Sequence, residues 1–312
     1  MQGSANIVEY STYCVLYMTA VLCNKYVLTS LGFQYPTIFQ GWQALVAFLL
    51  IWIYSGNQLQ QLTISELVPW IPAMLLYIGS IFSGSIALAH TSIPVFLLSH
   101  GASDVILIIC DDHLPTGAVH VGIPLKLSAL MLGLWSVHYD TPAINLIWIL
   151  VHAVFSGAYR AVAYWYTSPQ WPYSGLTAMQ RQTLNNLAGF LTLLSFAFIL
   201  GHHTTASQEF PHFSNINFYI GCICSGVLGW AVSQMWNKVK PGTLTSTSQM
   251  TQMAAKVLTL IISMQLFPVQ HTLLLWSAIL CGVAGDILHI LGNMFQESDD
   301  LRHEVRDILI GT

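Results

Sequence analysis

The chain has very few charged side chains. Only 7% of its 312 residues are Asp, Glu, Lys or Arg, whereas 54% are hydrophobic. A water-soluble domain of ordinary composition has about a quarter of its residues charged, so this composition excludes a soluble globular protein. The sequence therefore predicts an all-α, polytopic protein embedded in a lipid bilayer.

The sequence also lacks the motifs of common enzymes and metal sites. It contains no P-loop, GxSxG, HExxH or paired-carboxylate arrangement, so an enzyme has no positive support. The six cysteines form no CxxC motif and lie mainly in apolar segments, which favours structural thiols over redox or metal roles. We expect no catalytic residue, no cofactor, no metal and no nucleic-acid partner.

Long apolar segments fill most of the chain. A bilayer core of about 30 Å requires about 20 apolar residues per helix. Scanning at that length predicts ten spans, near residues 7–31, 37–55, 67–89, 93–110, 123–139, 143–163, 183–202, 216–236, 247–267 and 271–292. The first segment has no basic region before it, so we interpret it as a span and not as a cleaved signal peptide.

The spans divide into two halves of five. The halves are residues 1–142 and 143–292, and a charged tail follows at 293–312. An odd number of spans per half means that a structural repeat has to be inverted, an arrangement typical of transporters with a central site. The sequence thus predicts one ten-helix transporter domain. Small residues spaced four apart on the third and eighth spans favour packing within the bundle, with a homodimer as the alternative.

The distribution of cations predicts the topology. Six of the nine Lys and Arg residues lie between, after or at the edge of the apolar segments, all on one side of the ten-span arrangement, namely Lys126, Arg181, Lys238, Lys240, Arg302 and Arg306. Cytoplasmic connections retain cations, so both termini are expected in the cytosol.

The other three cations lie inside apolar segments. An ionised group in hydrocarbon costs several kcal/mol unless it faces a cavity or a partner. Arg160 lies near the cytoplasmic end of its span, so we expect its guanidinium to extend to the headgroups. Lys256 follows a run of small and polar residues, and Lys25 follows Asn24. For Lys256 a polar cavity is favoured over a structural ion pair.

Further polar residues within the spans are candidates for function. Asp104 and Asp286 are possible coupling groups or structural counter-ions. His100 precedes Asp104 by one turn, and a hydrogen-bonded packing role is favoured over metal binding or proton transfer. Asn185 and Asn186 open the seventh span; paired amides suit the edge of a base, and helix capping or interhelical bonding is the alternative.

Three histidines in the connection after the seventh span, His202, His203 and His212, are expected to be solvated loop residues. They would be the argument for a membrane-embedded enzyme or a scaffold.

Several stretches carry a family resemblance. Residues 24–28 (Asn-Lys-Tyr-Val-Leu) and 35–43 (Tyr-Pro-Thr-Ile-Phe-Gln-Gly-Trp-Gln) resemble the first two helices of nucleotide-sugar transporters of the drug/metabolite transporter superfamily. Residues 93–97 (Ile-Pro-Val-Phe-Leu), followed by His100 and Asp104, are similar to the start of the fourth helix in that group. The likeness covers essentially the whole chain and includes the branch of Golgi GDP-mannose transporters.

The resemblance implies a Golgi antiporter that exchanges a cytosolic nucleotide-sugar for the nucleoside monophosphate. The base-reading stretch corresponds to Asn185 and Asn186, and the sugar and phosphate stretch to Gln252 through Lys256. The aromatic positions, a Gly and the second Asn of the family stretches differ here, which leaves room for a UDP-sugar. Within the family the likeness suggests UDP-N-acetylglucosamine. The alternatives are GDP-mannose, or a sugar phosphate or other small solute.

The candidate substrate site combines both lines of argument. Lysines in one cavity would neutralise a diphosphate without a metal ion. The predicted substrate-binding residues are Asn24, Lys25, Asn185, Asn186, Gln252 and Lys256.

Overall fold

The computed structural model describes residues 7–56, 62–110, 117–167, 175–240 and 244–310, without the side chains of 300, 301 and 303–310. The described chain is helical apart from its connections. The helices are α1 (Ile7–Lys25, continued by a π-helical turn Tyr26–Ser30), α2 (Pro36–Ser55), α3 (Ile64–His90), α4 (Ile93–Ile109), α5 (Ala118–Val137), α6 (Ala143–Thr167), α7 (Ala178–Ile199), α8 (His202–Glu209), α9 (Ile216–Val239), α10 (Thr245–Leu266) and α11 (Leu273–Ile310).

Local sequence signals fix several helix starts. Thr63 and Glu66 form a capping box before α3, and Thr177 and Gln180 form another before α7, with Gln180 N donating to Thr177 Oγ1 at 3.2 Å. Such boxes satisfy two of the free N–H groups at a helix start. Since α7 begins five residues before its predicted start, Asn185 lies about two turns inside the helix. The prediction that Asn185 and Asn186 open this helix was wrong.

The outer surface is apolar, as expected of a protein that faces lipid. Large side chains such as Ile7 and Ile53 are each 80% exposed. Within the described ranges, seven helices are long and apolar enough to cross a membrane, namely α2, α3, α5, α6, α7, α9 and α11, and α4 is a shorter apolar helix. The chain is a multi-pass membrane protein.

The two other long helices, α1 and α10, are more polar. Helix α1 carries Glu9 and Lys25, and α10 carries Lys256 among Thr, Ser and Gln residues. Both helices lie against several others: α1 packs on α9 and α10, and α10 packs on α1, α4 and α11. Their polar groups therefore have protein neighbours.

Many helix contacts in one half of the bundle have a counterpart in the other half. The contact of α3 with α6 has a counterpart in that of α9 with α1, and the contact of α4 with α6 has one in that of α10 with α1. Likewise α2 packs on α9 as α7 packs on α3, and α4 packs on α5 as α10 packs on α11. Helices α2 and α7 pack on each other, and so do α5 and α11.

Glycines bring α5 and α11 close together. A Cβ on Gly285 would lie 3.1 Å from the carbonyl oxygen of Gly122 and 2.8 Å from Cγ of Lys126. Small residues let helix backbones approach in this way in membranes. The approach places Lys126 directly beside α11.

Helix α11 continues without a break past the predicted start of the tail at residue 293. Glu297, one turn further, accepts a hydrogen bond from the backbone N–H of Ser246 at 3.1 Å. The carboxylate thus satisfies a free N–H at the start of α10, where a negative charge is favourable.

Candidate functional site

Five charged side chains from five helices form one cluster inside the bundle. Three cations surround Asp104 of α4: Arg160 Nη1 lies 2.6 Å from Oδ1, and Lys256 Nζ and Lys126 Nζ lie 3.2 and 3.5 Å from Oδ2. Asp286 of α11 pairs with Lys126 at 2.7 Å and with Lys256 at 3.6 Å. We call these five residues the ionic cluster.

The ionic cluster is largely removed from solvent and carries an excess of positive charge. Three cations face two carboxylates, so its formal net charge is +1. The side chain of Lys126 is 2% exposed and that of Asp104 is 13% exposed. Desolvating an ion costs several kcal/mol, which direct pairing offsets. Truncating either carboxylate would therefore leave more uncompensated positive charge in the bundle.

Two cations of the cluster differ from their sequence-based predictions. Arg160 does not extend to the headgroups, because its guanidinium binds Asp104 and donates to Ser103 Oγ at 2.6 Å. Lys126 is not in a cytoplasmic connection, because α5 begins eight residues before it and buries it. Each cation instead has a carboxylate partner on a neighbouring helix.

The structure also shows which signal identifies Lys126. It lies one turn from Gly122 and close to one turn from Ala129, and both small residues are buried. Small residues at this spacing mark a helix face that packs on another helix. A lysine on such a face needs a buried counter-ion, which Asp286 provides.

A cavity adjoins the ionic cluster between α4, α5, α10 and α11. Lys126, Lys256 and Asp286 line its polar part, and apolar side chains such as Leu97 and Ile279 line the rest. Lys256 therefore belongs to an ion-pair network and also lines a mostly apolar cavity.

The amide pair on α7 lies among aromatic rings. Trp70 Nε1 donates to Asn185 Oδ1 at 3.0 Å, and Asn185 Nδ2 donates to Tyr159 Oη at 2.8 Å. Tyr77 Oη lies 3.4 Å from Asn186 Oδ1, and the rings of Tyr77 and Tyr159 are 5.4 Å apart. Rings next to hydrogen-bonding amides suit a planar base.

Neighbouring helices supply these rings. The family stretch has aromatic side chains directly before its Asn pair, where this chain has Thr183 and Leu184. Tyr159 immediately precedes Arg160 of the ionic cluster on α6. Sequence reasoning missed Trp70, Tyr77 and Tyr159, because no local pattern indicates which helices meet α7.

Two histidines, His100 and His152, lie close together, and each is hydrogen-bonded to a third residue. Tyr17 Oη is 3.1 Å from His100 Nδ1, and the ring centroids of His100 and His152 are 5.5 Å apart. His152 Nδ1 is 3.0 Å from the carbonyl oxygen of Ser80. His100 thus has the hydrogen-bonded packing geometry favoured for it. Within the described part of the chain, no group of three or more His, Cys, Asp or Glu residues is placed to hold a metal ion.

Lys25 lies at a different place from Lys256. Its ammonium donates to the carbonyl oxygens of Leu88 and Thr91, at 2.8 and 2.7 Å, at the C-terminal end of α3. A cation is favourable there, because the last carbonyls of a helix have no partner within it. Among the contacts of the described residues Lys25 shares no partner with Lys256, so the structure does not place both lysines around one diphosphate.

The remaining predicted site residues are also accounted for. Asn24 Oδ1 accepts hydrogen bonds from Gln43, at 3.1 Å, and from Ser225, which joins α1, α2 and α9. Gln252 lies one turn before Lys256 on the same side of α10. His202 is not a solvated loop residue: it begins α8 and lies 2.8 Å from Thr37 Oγ1.

Comparison with known proteins gives two long matches. The chain is 29% identical over 283 residues to the UDP-N-acetylglucosamine transporter TMEM241 homolog of Xenopus laevis, which covers 88% of this chain and 93% of that protein. It is 29% identical over 287 residues to the mouse UDP-N-acetylglucosamine transporter TMEM241, with 89% and 93% covered. The chain is homologous to these transporters. The resemblance to nucleotide-sugar transporters indicated by the sequence is confirmed.

A shorter match extends the relationship. The chain is 30% identical over 128 residues to the GDP-mannose transporter of Aspergillus clavatus, across 40% of this chain and 33% of that protein. No family model matches the chain. The homologues support the nucleotide-sugar transporter family, and they are transporters and not enzymes.

Proposed function

We propose that this protein carries UDP-N-acetylglucosamine across a Golgi membrane into the lumen. The observation that carries the proposal is the match to two UDP-N-acetylglucosamine transporters over nearly nine-tenths of the chain. The site agrees in chemistry, because a ligand with a base and a diphosphate needs amides and rings at one end and cations at the other. Tyr159, which bonds to Asn185, and Arg160, which pairs with Asp104, are consecutive residues of α6.

The diphosphate is proposed to bind at Lys256. This lysine lines the cavity and is 16% exposed on its side chain, so it is a cation of the cluster that a ligand reaches with little rearrangement. Gln252, one turn earlier, is proposed to hydrogen-bond the sugar end of the ligand. Lys25 and Asn24 stay candidate ligands, but each would first have to leave its present partners.

The base is proposed to bind at Asn185 and Asn186. Their amide groups are now bonded to Trp70, Tyr159 and Tyr77. A uracil edge offers the same donors and acceptors, and the tyrosine rings offer surfaces for stacking. Loading then exchanges protein hydrogen bonds for ligand hydrogen bonds and leaves few polar groups unpaired.

Ten spans in two inverted halves are proposed for the membrane domain. The paired helix contacts support this arrangement. If the first five long helices are exchanged in order for the last five, each contact described above becomes its counterpart. Helices α1 and α10 are proposed to span as polar interior helices, since each packs on several neighbours. With ten spans, both termini would lie in the cytosol.

Exchange against uridine monophosphate is proposed as the transport mode. The ionic cluster has a net charge of +1 when empty, so its cations outnumber their anionic partners. A nucleotide in either direction would supply an anionic partner, which favours crossing in the loaded state. Liposomes preloaded with uridine monophosphate should therefore take up UDP-N-acetylglucosamine faster than empty liposomes, and uptake driven by a proton gradient would contradict this mode.

The test of the substrate is a binding and transport screen. The melting temperature of the purified protein would be measured with UDP-N-acetylglucosamine, other UDP-sugars, GDP-mannose and sugar phosphates. Uptake of each compound would be measured separately, in liposomes that contain the protein. We expect the largest thermal stabilisation and the fastest uptake with UDP-N-acetylglucosamine. A preference for GDP-mannose, which the Aspergillus match favours, or for a sugar phosphate would change the proposed substrate but not the proposed transport function.

A further inference from the structure

Asp104 lies where a phosphate group would find the most cationic partners. One carboxylate oxygen faces Arg160, and the other faces Lys256 and Lys126. An arginine fork binds a carboxylate and a phosphate with the same planar geometry. Asp104 therefore occupies a position built for a multivalent oxyanion.

One N–H donor of the Arg160 guanidinium is available for a ligand. Its Nη1 and Nη2 donate to Asp104 and Ser103, but its Nε is buried and has no hydrogen-bond partner among the described residues. A buried donor without a partner costs free energy. The diphosphate of a nucleotide-sugar has two non-bridging oxygens on each phosphorus, which is more acceptor sites than a carboxylate has, and it would satisfy this donor as well.

Asp104 also has a second cation beside it that can pair with it when a ligand displaces it. Lys126 lies 3.5 Å from Asp104 and 2.7 Å from Asp286, at the side of the cluster formed by α5 and α11. If Arg160 and Lys256 turned to a ligand, Lys126 would still neutralise both carboxylates in part. The displaced carboxylate would not be left as a lone buried charge.

We propose that Asp104 is an internal competitor of the substrate diphosphate: in the unloaded protein it holds Arg160 and Lys256, and the diphosphate binds by taking both cations from it. Arg160 is then a phosphate ligand together with Lys256. The proposal rests on the proposed function, since it assumes a nucleotide-sugar as substrate. A diphosphate has about two negative charges, so loading changes the cluster from a net charge of +1 to about −1.

Competition makes the apparent affinity depend on Asp104. A ligand that binds only the fraction of protein in which its site is free has its affinity lowered by that fraction. Asp104→Asn keeps the shape of the side chain and removes the competing charge. We expect this variant to bind UDP-N-acetylglucosamine and uridine monophosphate about tenfold more tightly than the wild-type protein, as measured by isothermal titration calorimetry. A structural role alone would not tighten binding.

Asp286→Asn is the matched variant, because it gives the cluster the same net charge. Asp286 contacts Lys126 and Lys256 but has no ion pair with Arg160 among the described residues. We expect a clearly smaller gain in affinity from Asp286→Asn than from Asp104→Asn. Equal gains would show that only net charge matters and would overturn the proposal. Asp140→Asn, at an exposed position outside the cluster, should bind like the wild-type protein.

A double variant covers the case in which Asp104→Asn does not fold. Asp104→Asn with Lys126→Met removes one charge of each sign and restores the net charge of +1. It should still bind the nucleotides more tightly than the wild-type protein, and affinity equal to or below wild type would overturn the proposal. If the wild-type protein binds no nucleotide at all, the proposed function fails together with the competition. If it binds but the variants do not tighten, only the competition fails.

Discussion

At the scale of single residues, Lys256 is the most informative side chain. It pairs with Asp104 and Asp286 and also lines the cavity. Its neighbours Arg160 and Lys126 are cations as well, so a ligand replaces a charge interaction that the cluster already makes. The effect of changing Lys256 therefore measures the phosphate site more directly than it measures folding.

Lys256→Ala should weaken the binding of UDP-N-acetylglucosamine at least tenfold. Truncating one partner of a partly buried charge pair typically costs about 2 to 5 kcal/mol, and the lysine is proposed to contact the diphosphate. Lys256→Arg should restore only part of the affinity, because a flat fork does not replace a compact ammonium. The dissociation constants of the purified variants give the answer.

Lys238→Ala is the control for this substitution, since it removes an exposed lysine at the end of α9. It should leave the affinity unchanged. If Lys256→Ala folds and binds the ligand like the wild-type protein, Lys256 is only a counter-ion for the two carboxylates.

Asn185→Ala should lower the affinity for uridine nucleotides and reduce their advantage over guanosine nucleotides. The amide is proposed to read the base, and removing it also leaves the buried Trp70 Nε1 without its acceptor. Loss of that bond should destabilise the protein by about 1 to 3 kcal/mol. Titrations with uridine and guanosine monophosphate, each with a melting curve, separate these effects. An unchanged ratio of the two affinities would remove Asn185 from base recognition.

At the scale of helices, the glycine contact between α5 and α11 positions half of the ionic cluster. Lys126 and Asp286 meet at 2.7 Å because Gly122 and Gly285 allow the two backbones to approach. The geometry of the charges thus depends on residues that carry no charge. Side-chain contacts on α4 and α10 complete the arrangement.

Gly285→Ala should destabilise the protein by about 1 to 3 kcal/mol. The added methyl group would overlap Lys126 Cγ and press on the carbonyl oxygen of Gly122, and overpacking of this kind has costs in that range. A lower melting temperature in detergent would show it. Gly229→Ala, whose new methyl group meets nothing within 4 Å, should keep or raise the melting temperature because alanine favours a helix. Equal melting temperatures for both variants would contradict the tight contact.

At the scale of the whole molecule, the ten-span arrangement has consequences for topology. The prediction used six cations on one side, and Lys126 no longer counts among them because it is buried. The five others lie in the first turn of α7, at the end of α9 and in the C-terminal part of α11, on one side of the proposed arrangement. Positive charge near the ends of spans favours the cytoplasmic side.

Both ends of the protein should therefore be accessible from the cytosol. Tags at the N-terminus and at the C-terminus should each bind antibody after the plasma membrane alone is permeabilised. Protection of one tag alone until the Golgi membrane is also opened would show an odd number of spans, and protection of both would show the opposite orientation. A tag in the α7–α9 connection should show that protected behaviour and is the internal control.

Several features followed from the sequence by itself. Apolar runs of about 20 residues predict long helices and a membrane setting, because an unpaired backbone cannot exist in lipid. Capping residues such as Thr63 and Thr177 fix where α3 and α7 begin. The stretches at the first, second and fourth helices carried the family resemblance, and the comparison with TMEM241 transporters agrees with it.

The site depended on the tertiary structure. Arg160 and Lys126 lie far from Asp104 in sequence, and no local pattern states that α4, α5 and α6 bring them within 3.5 Å. Lys25 and Lys256 look alike in sequence, yet one binds helix-terminal carbonyls and the other binds carboxylates. A charge inside a membrane protein is defined by the partner it meets, and that partner is decided by how the helices pack.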